Sequence, residues 1–350
     1  MALLDANLQS SPAIRSNSFV SGHPKPVSVE RHMAPSQSVE AKAQQTLFLK
    51  SSMDEAQAVS CANGTALAFS RPSPAKETPN EDAAAVFDLW AGTAVLVVAD
   101  GVGGMKAGHK ASSSAIRAIK RSLKKAKEGS DLRSFILDGI ERANENILRN
   151  AAGSATTVAI VEICDGFMRP YHVGDSIILQ IGNRGQIKWS ALSHAPLSYA
   201  VEAGVISEAN AMVHPDRNLI SNVVGDREMR IEIGPRRKLA KSDTIVVASD
   251  GLCDNLSTLE IADFTRRSPL PERVQQMIAE TRNRMYLAID GRSELENLPG
   301  KPDDLTLVVY RRDKETKRTP AEPVVKPPQV VIDRVQPIVE TPGSLVVDYQ

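Results

Sequence analysis

Ala94-Val95-Leu96-Val97-Val98-Ala99 runs directly into Asp100-Gly101-Val102-Gly103-Gly104. Small and branched apolar residues closed by a glycine-rich turn read as a buried strand, and Asp100 then stands at its tip. Outward from this stretch the arrangement recurs. Thr244-Ile245-Val246-Val247-Ala248-Ser249 runs into Asp250-Gly251, and Asp303-Asp304 stands just before Leu305-Thr306-Leu307-Val308-Val309-Tyr310. A carboxylate at a strand tip is held at a sheet edge by rigid backbone. Several such carboxylates, arriving from distant parts of the chain, suit a hard divalent cation, because Mg²⁺ and Mn²⁺ prefer oxygen ligands.

Further motifs join these three. Asn80-Glu81-Asp82-Ala83 supplies two acids before the apolar run 84–87, Gly153-Ser154-Ala155-Thr156-Thr157 is a small-residue entry into a strand, and His172-Val173-Gly174-Asp175-Ser176 sets another Asp in a tight turn. In Asp100-Gly101 the glycine lets a backbone carbonyl approach a metal with no Cβ in the way. Two ions bridged by one carboxylate can hold a water, lower its pKa and clamp an in-line phosphoryl displacement. A lone Asp-Gly is ordinarily just a turn, Asp175 alone a hairpin residue, and residues 80–82 alone a solvated loop. One glycine-rich turn is weak evidence for phosphate binding, and no Gly-Lys-Ser/Thr sequence offers a P-loop. The order and context of the whole set carry the argument.

Between these motifs, residues 107–127 place small or apolar residues at Ala111, Ala115, Ile119 and Leu123 with Lys and Arg opposite, which predicts an amphipathic helix. Residues 132–148 repeat the pattern with Phe135, Ile136, Ile140, Ile147 and Leu148. Strands are predicted over 156–163, 168–173, 176–181 and 186–189, and a late helix over 271–288 before the last strand. Two helices, a run of strands and a closing helix argue an α+β class, with antiparallel sheets covered by helices.

The 350 residues are 42% hydrophobic, enough for a substantial core. Lys plus Arg equals Asp plus Glu at 42 each, so no overall charge grips nucleic acid. Cys61, Cys164 and Cys253 lack metal-ligand spacing, which fits a reducing compartment. No stretch approaches the roughly 20 apolar residues of a membrane span, and the start lacks a signal-peptide pattern, so the cytoplasm is the expected location. Residues 1–58 are rich in Ser, Pro, Gln and Ala and are expected to form a disordered arm. Residues 59–313 form the expected domain. Residues 314–350 are a Pro-rich tail of extended or polyproline character.

The ordered series Asn80-Glu81-Asp82-Ala83, Asp100-Gly101-Val102-Gly103-Gly104, Gly153-Ser154-Ala155-Thr156-Thr157, Val173-Gly174-Asp175-Ser176, Ser249-Asp250-Gly251-Leu252 and Asp303-Asp304-Leu305-Thr306 resembles the metal-dependent serine/threonine protein phosphatases of type 2C. The resemblance spans about residues 60 to 312, with Val102 similar to bacterial members and residues 194–225 similar to the flap beside the active site. It implies a four-layer α-β-β-α sandwich of two antiparallel sheets flanked by helices, in agreement with the α+β reading of the pattern.

What the resemblance implies for the site can be stated residue by residue. Asp100 would bridge two Mn²⁺ or Mg²⁺ ions, Glu81 and the Gly101 carbonyl would complete one, and Asp250 and Asp303 would hold the other. Asp82 would orient metal-bound water, and Asp175 would hold a weaker third ion. The implied reaction is direct attack of a bridging hydroxide on phosphoserine or phosphothreonine, with no phosphoenzyme. The implied partners are phosphorylated proteins and a cognate Ser/Thr kinase system, with the chain expected as a monomer in signalling. Two positions depart from the pattern. The usual phosphate-binding Arg is Glu77 here, leaving Lys76 or Arg71 for that task, and the position that is His in many members is Val102, leaving His109 and His194 nearest as leaving-group acids. Alternative expectations are a regulatory phosphatase acting on an anti-sigma-factor antagonist, a phosphoprotein-binding pseudophosphatase, and a scaffold working through its tail.

Overall fold

The run that opens the sequence argument is a strand buried on both faces. Val95, Val97 and Ala99 pack towards helices on one side, while Ala94, Leu96 and Val98 pack towards a second sheet on the other. A strand with two dry faces needs a continuous apolar run, which is what residues 94–99 supply. The computed structural model of the chain describes residues 44–102, 107–150, 153–293 and 298–313.

In chain order the strands and helices are β1 Gln44–Leu49, β2 Gln57–Cys61, β3 Gly64–Arg71, β4 Ala83–Trp90, β5 Thr93–Ala99, α1 Gly108–Leu123 and α2 Leu132–Asn150. There follow β6 Val158–Cys164, β7 Phe167–Val173, β8 Ile177–Ile181, β9 Ile187–Ser190, α3 Pro196–Glu202 and α4 Glu208–Met212. The chain continues through β10 Glu232–Ile233, β11 Arg237–Lys238, β12 Thr244–Ala248, α5 Asp250–Cys253, α6 Thr258–Arg266, α7 Leu270–Ile289 and β13 Leu305–Arg312.

One sheet runs β1-β4-β5-β6-β7-β10, with β11 also on β7, and the other runs β2-β3-β13-β12-β8-β9; every pairing is antiparallel. Leu96 and Val98 of the first sheet share one apolar cluster with Ile245, Val247 and Val308 of the second. On the outer face of the first sheet lie α1 and α2, through Ile116, Ile119, Ile136 and Ile140. On the outer face of the second lie α6 and α7, through Ile261, Val274 and Met277. The four-layer α-β-β-α sandwich implied by the resemblance is the observed architecture. Deleting a large side chain from the seam between sheets would cost about 2–5 kcal/mol.

The domain boundary needs correction. Gln44–Leu49 is not part of a disordered arm: it is β1, paired with β4 from Gln44↔Asp88 to Leu49↔Ala83, and Phe48 is buried. Three polar residues, Gln44, Gln45 and Thr46, hide an edge strand whose apolar end is only Leu47-Phe48-Leu49. Residues 1–43, Gly103, Gly104 and the Pro-rich 314–350 lie outside the described residues.

Candidate active site

The register of the sheets brings the acids to one end of the sandwich. β4 and β5 pair at Ala83↔Ala99, which sets Glu81 and Asp82, just before one strand, beside Asp100, just after the other. In the second sheet Ala248 pairs with Leu307, which sets Asp250, just after β12, beside Asp303, just before β13. Asp175 lies on the link that carries the chain from β7 in one sheet to β8 in the other.

Local hydrogen bonds fix the acids of the first sheet. Asn80 Oδ1 accepts from Asp82 N at 2.9 Å, and Asn80 Nδ2 donates to Ser51 O and Ser70 Oγ, both at 2.9 Å. Asp304 Oδ2 accepts from Glu81 N and Asp304 Oδ1 from Ser73 N, each at 2.7 Å. Thr157 Oγ1 accepts from Asp100 N at 3.1 Å, while Thr156 Oγ1 donates to Asp100 O at 2.6 Å. The small-residue segment 153–157 thereby serves as the splint that aims Asp100. A Cβ on Gly101 would meet Gly108 C at 2.5 Å and Glu81 O at 2.6 Å, so only glycine permits this crossing of three segments.

These elements enclose a cavity of about 280 Å³. Its walls bring together Glu81, Asp100, Gly101, Asp175, Asp250 and Asp303, with Asp304 and two lysines, Lys76 and Lys301. Asp82 sits behind them, 1% exposed, and neither carboxylate oxygen has a hydrogen-bond partner. The nearby Ser249 hydroxyl eases the Asp82 charge a little, but within hydrogen-bond distance it meets Thr306 O, at 3.3 Å. Buried polar atoms are normally paired, so these orphans mark a place prepared for a polar or cationic guest.

Electrostatics agree. Burial pushes the Asp82 carboxyl well above the usual range, and Asp304, Asp303 and Asp250 push it further. Asp100 is raised in the same way by burial and by Asp82, Asp250 and Asp303. Burial and Asp250 lift Asp303 to about 6, and burial, Asp250 and Asp254 lift Asp175 to about 7. Asp250 alone moves down: burial opposes its charge, but the ammonium of Lys301 more than reverses that. Six lining acids face two lining lysines. Crowded carboxylates short of positive charge, all oxygen donors, fit hard divalent cations.

Two expected phosphate ligands separate. Lys76 lines the cavity, with Nζ 3.0 Å from Glu81 Oε2 and 2.8 Å from Asp304 Oδ2. Arg71 does not: at the end of β3 its guanidinium turns to Met53 O and to the Asp54 carboxylate, away from the cavity. Glu77 is exposed and also outside the cavity wall. Neither His109 nor His194 lines the cavity. His194 Nδ1 accepts from Gly174 N at 3.0 Å and faces Asn222 Nδ2 at 2.9 Å, so its ring is spent in holding the flap segment to the Asp175 turn. Reading the sequence missed Lys301 and Asp254, although Asp254 follows Asp250 by one helical turn and Lys301 precedes Asp303 by two residues.

Comparison with known proteins completes the case. The profile of the family described as protein phosphatase 2C matches residues 74–288. A putative protein phosphatase 2C-type of Streptococcus pyogenes is 28% identical over 249 residues, covering 69% of this chain and 94% of that one. The solved serine/threonine phosphatase of S. agalactiae superposes with a TM-score of 0.58 at 25% identity, covering 71% of this chain and 99% of that chain. The catalytic domain of PstP, solved in complex with two manganese ions, shares the fold with a TM-score of 0.55 at 22% identity, over 70% of this chain and 96% of that one. With the acids of the sequence motifs gathered at one end of the matching sandwich, this chain belongs to the protein phosphatase 2C family of metal-dependent serine/threonine phosphatases.

Proposed function

We propose that this cavity hydrolyses phosphoserine and phosphothreonine in phosphorylated proteins, with two divalent cations, Mn²⁺ or Mg²⁺, held by Asp100, Glu81, the Gly101 carbonyl, Asp250 and Asp303. The observation that carries the reading is the convergence of these oxygen donors, from four distant segments, around an acid whose two oxygens are orphaned. When bound, such ions lower the pKa of water and neutralise charge on a phosphoryl group.

The chain's own residues do the rest. The charges of Asp82, Asp250 and Asp303 all reach Asp100, which suits it to serve both ions. Asp82, buried behind the lining acids with both oxygens unpartnered, is the residue we assign to orienting the attacking water. Lys76 is the cavity lysine we assign to the outer phosphoryl oxygens, since three rotatable ammonium donors suit a dianion. Hydrolysis breaks the bond between phosphorus and the seryl or threonyl oxygen, forms one to the water oxygen, and returns a proton to the alcohol. A serine/threonine kinase acting in the same compartment would supply the substrate. The three unpaired thiols, Cys61, Cys164 and Cys253, support a reducing cytoplasm as that compartment.

Turnover of a phosphothreonine peptide by the full chain tests the reading. Release of phosphate that requires Mn²⁺ or Mg²⁺ and vanishes in Asp250→Asn is the expected result. Tight peptide binding with no turnover at any metal concentration would make the chain a binder and overturn it.

A further inference from the structure

We propose that the groove beneath α3 and α4 is a subsite for a basic side chain of the phosphorylated protein, a lysine or arginine close to the phosphoresidue, and that Glu202 selects it. The proposal rests on the phosphatase reading of the acidic cavity and names the class of substrate which that cavity takes. A second cavity, of about 400 Å³, is walled by residues of α3 and α4 on one side and of β8, β9 and α5 on the other. Asp175 and Asp250 line both cavities, so the two adjoin. A peptide whose phosphate enters the first can therefore lay a neighbouring side chain in the second. An extended chain advances about 3.3 Å per residue, which puts that side chain within a few positions of the phosphoresidue.

The walls suit the long stem and charged head of such a residue. Half-buried Leu192, Leu197 and Val201, with buried Met212, offer an apolar face. Lysine and arginine lay their methylenes along faces of this kind and keep the charge at the wet end. The charges around the groove are acidic. Glu202 lines it, is exposed, and has no side-chain partner among the described residues. Glu208 accepts from Thr258 N at 2.8 Å and from Thr258 Oγ1 at 3.1 Å, neutral donors that leave its negative charge in place. Asp254 spends its own on Lys301, 2.6 Å away. Arg217, the one lining cation among the described residues, is turned to Met212 O at 3.0 Å. Such a groove attracts a basic side chain and repels an acidic one. It is also preformed. The Glu208–Thr258 bonds tie its roof to α6, and His194 N donates to Gly174 O at 3.0 Å, which ties the base of the roof to the Asp175 turn.

The test is steady-state kinetics of the full chain with Mn²⁺ on phosphothreonine peptides of otherwise alanine sequence, each carrying one Arg, Ala or Glu at a chosen position on either side of the phosphoresidue. At one position Arg should raise kcat/KM over Ala by about fivefold, chiefly through KM, and Glu should lower it, as one partly exposed ion pair would do. Glu202→Lys, a change at an exposed position, should invert that order. Glu128→Lys makes the same change of net charge beyond the end of α1 that lies away from Glu81, and should keep the wild-type order. Equal kcat/KM for all peptides, an order that Glu202→Lys leaves as it was, or an order that Glu128→Lys inverts equally well overturns the proposal and leaves the phosphatase reading intact. No phosphate release from any peptide at any Mn²⁺ concentration overturns both.

Discussion

Lys76 Nζ sits 2.8 Å from Asp304 Oδ2, an oxygen that also takes the backbone N–H of Glu81. One carboxylate thus orients both a cavity cation and the loop of a proposed metal ligand. Burial opposes the Lys76 charge, yet Asp304 and Glu81 together hold its pKa above that of an ordinary lysine, so it is charged at any physiological pH.

Lys76→Ala should therefore raise KM for a phosphopeptide and lower kcat/KM by about 1.5–3 kcal/mol, the range for one charged hydrogen bond. Arg71→Ala, outside the cavity, should leave KM unchanged. Steady-state kinetics on both variants decides the assignment: equal effects would mean that Lys76 does not touch the phosphate.

Metal dependence should be strict. Excess chelator is expected to abolish phosphate release, and added Mn²⁺ to restore it. Asp100→Asn should lose more activity than Asp175→Asn, because on the proposed reading Asp100 would serve both ions of the pair and Asp175 neither of those two. Comparable losses would show that the bridging role is assigned to the wrong carboxylate.

Gly251 leaves no room for a side chain. A Cβ there would lie 2.0 Å from the backbone oxygen of Asp304, an atom that cannot rotate away. Gly251→Ala should shift α5 with Asp250, destabilise the fold by about 1–3 kcal/mol as an overpacked site does, and weaken Mn²⁺ binding. Unchanged thermal unfolding and an unchanged Mn²⁺ isotherm would contradict the contact.

Acid should destabilise the fold through His172. This ring is 2% exposed, lies 3.0 Å from Leu192 O and stacks on His194 with centroids 4.5 Å apart. Burial lowers its pKa below the ordinary 6.5 and His194 lowers it further, against weaker opposing pulls from Leu192 O and Glu232. The unfolded chain consequently takes up a proton at this position before the folded one does. Its contribution is complete above about pH 6.5 and is lost as pH falls towards the folded pKa. The urea midpoint should drop between pH 7.5 and 5.5, and the drop should shrink in His172→Gln; an equal drop in both would place its source elsewhere.

The chain should tolerate removal of 1–43 and 314–350 and keep phosphatase activity. Starting instead at residue 59 deletes β1, strips Phe48 from the core and uncovers the edge of β4, and should lower the melting temperature sharply or cause aggregation. Equal melting curves for the two truncated chains would show that β1 is dispensable.

What the sequence reveals, and what it hides, has a physical pattern. β5, β12 and β13 are legible because each is buried on two faces and carries a continuous apolar run, and the acid that ends or precedes each is visible beside it. Helices α1 and α2 are legible because Ala111, Ala115, Ile119 and Leu123, and then Ile136, Ile140 and Ile147, keep helical spacing. β1 escapes because an edge strand may be half polar. Helix α6 escapes for its short length, though Ser257 and Glu260 form the capping box that announces it. At the site, Glu81, Asp100, Asp175, Asp250 and Asp303 come together as local turns at strand tips suggest. Lys301 and Asp254 stay hidden because their meeting depends on one buried amide, Asn255, folding a loop onto a helix 46 residues away. Arg71 misleads for the opposite reason. Its position in sequence is close to the acids, but the direction of its side chain is set by Met53 and Asp54.

The acids of the proposed metal centre are shared between the two sheets: Glu81 and Asp100 ride on one, Asp250 and Asp303 on the other. The seam between the sheets is therefore also the gap that the proposed ions would span. Any sliding of sheet on sheet, even by a few tenths of an ångström, changes the separation of the two halves of the ligand set. Core residues such as Leu96, Val247 and Val308 act as the spacers of that gauge, far from any substrate. Substitutions among them should alter which ion fits best before they alter whether the protein folds.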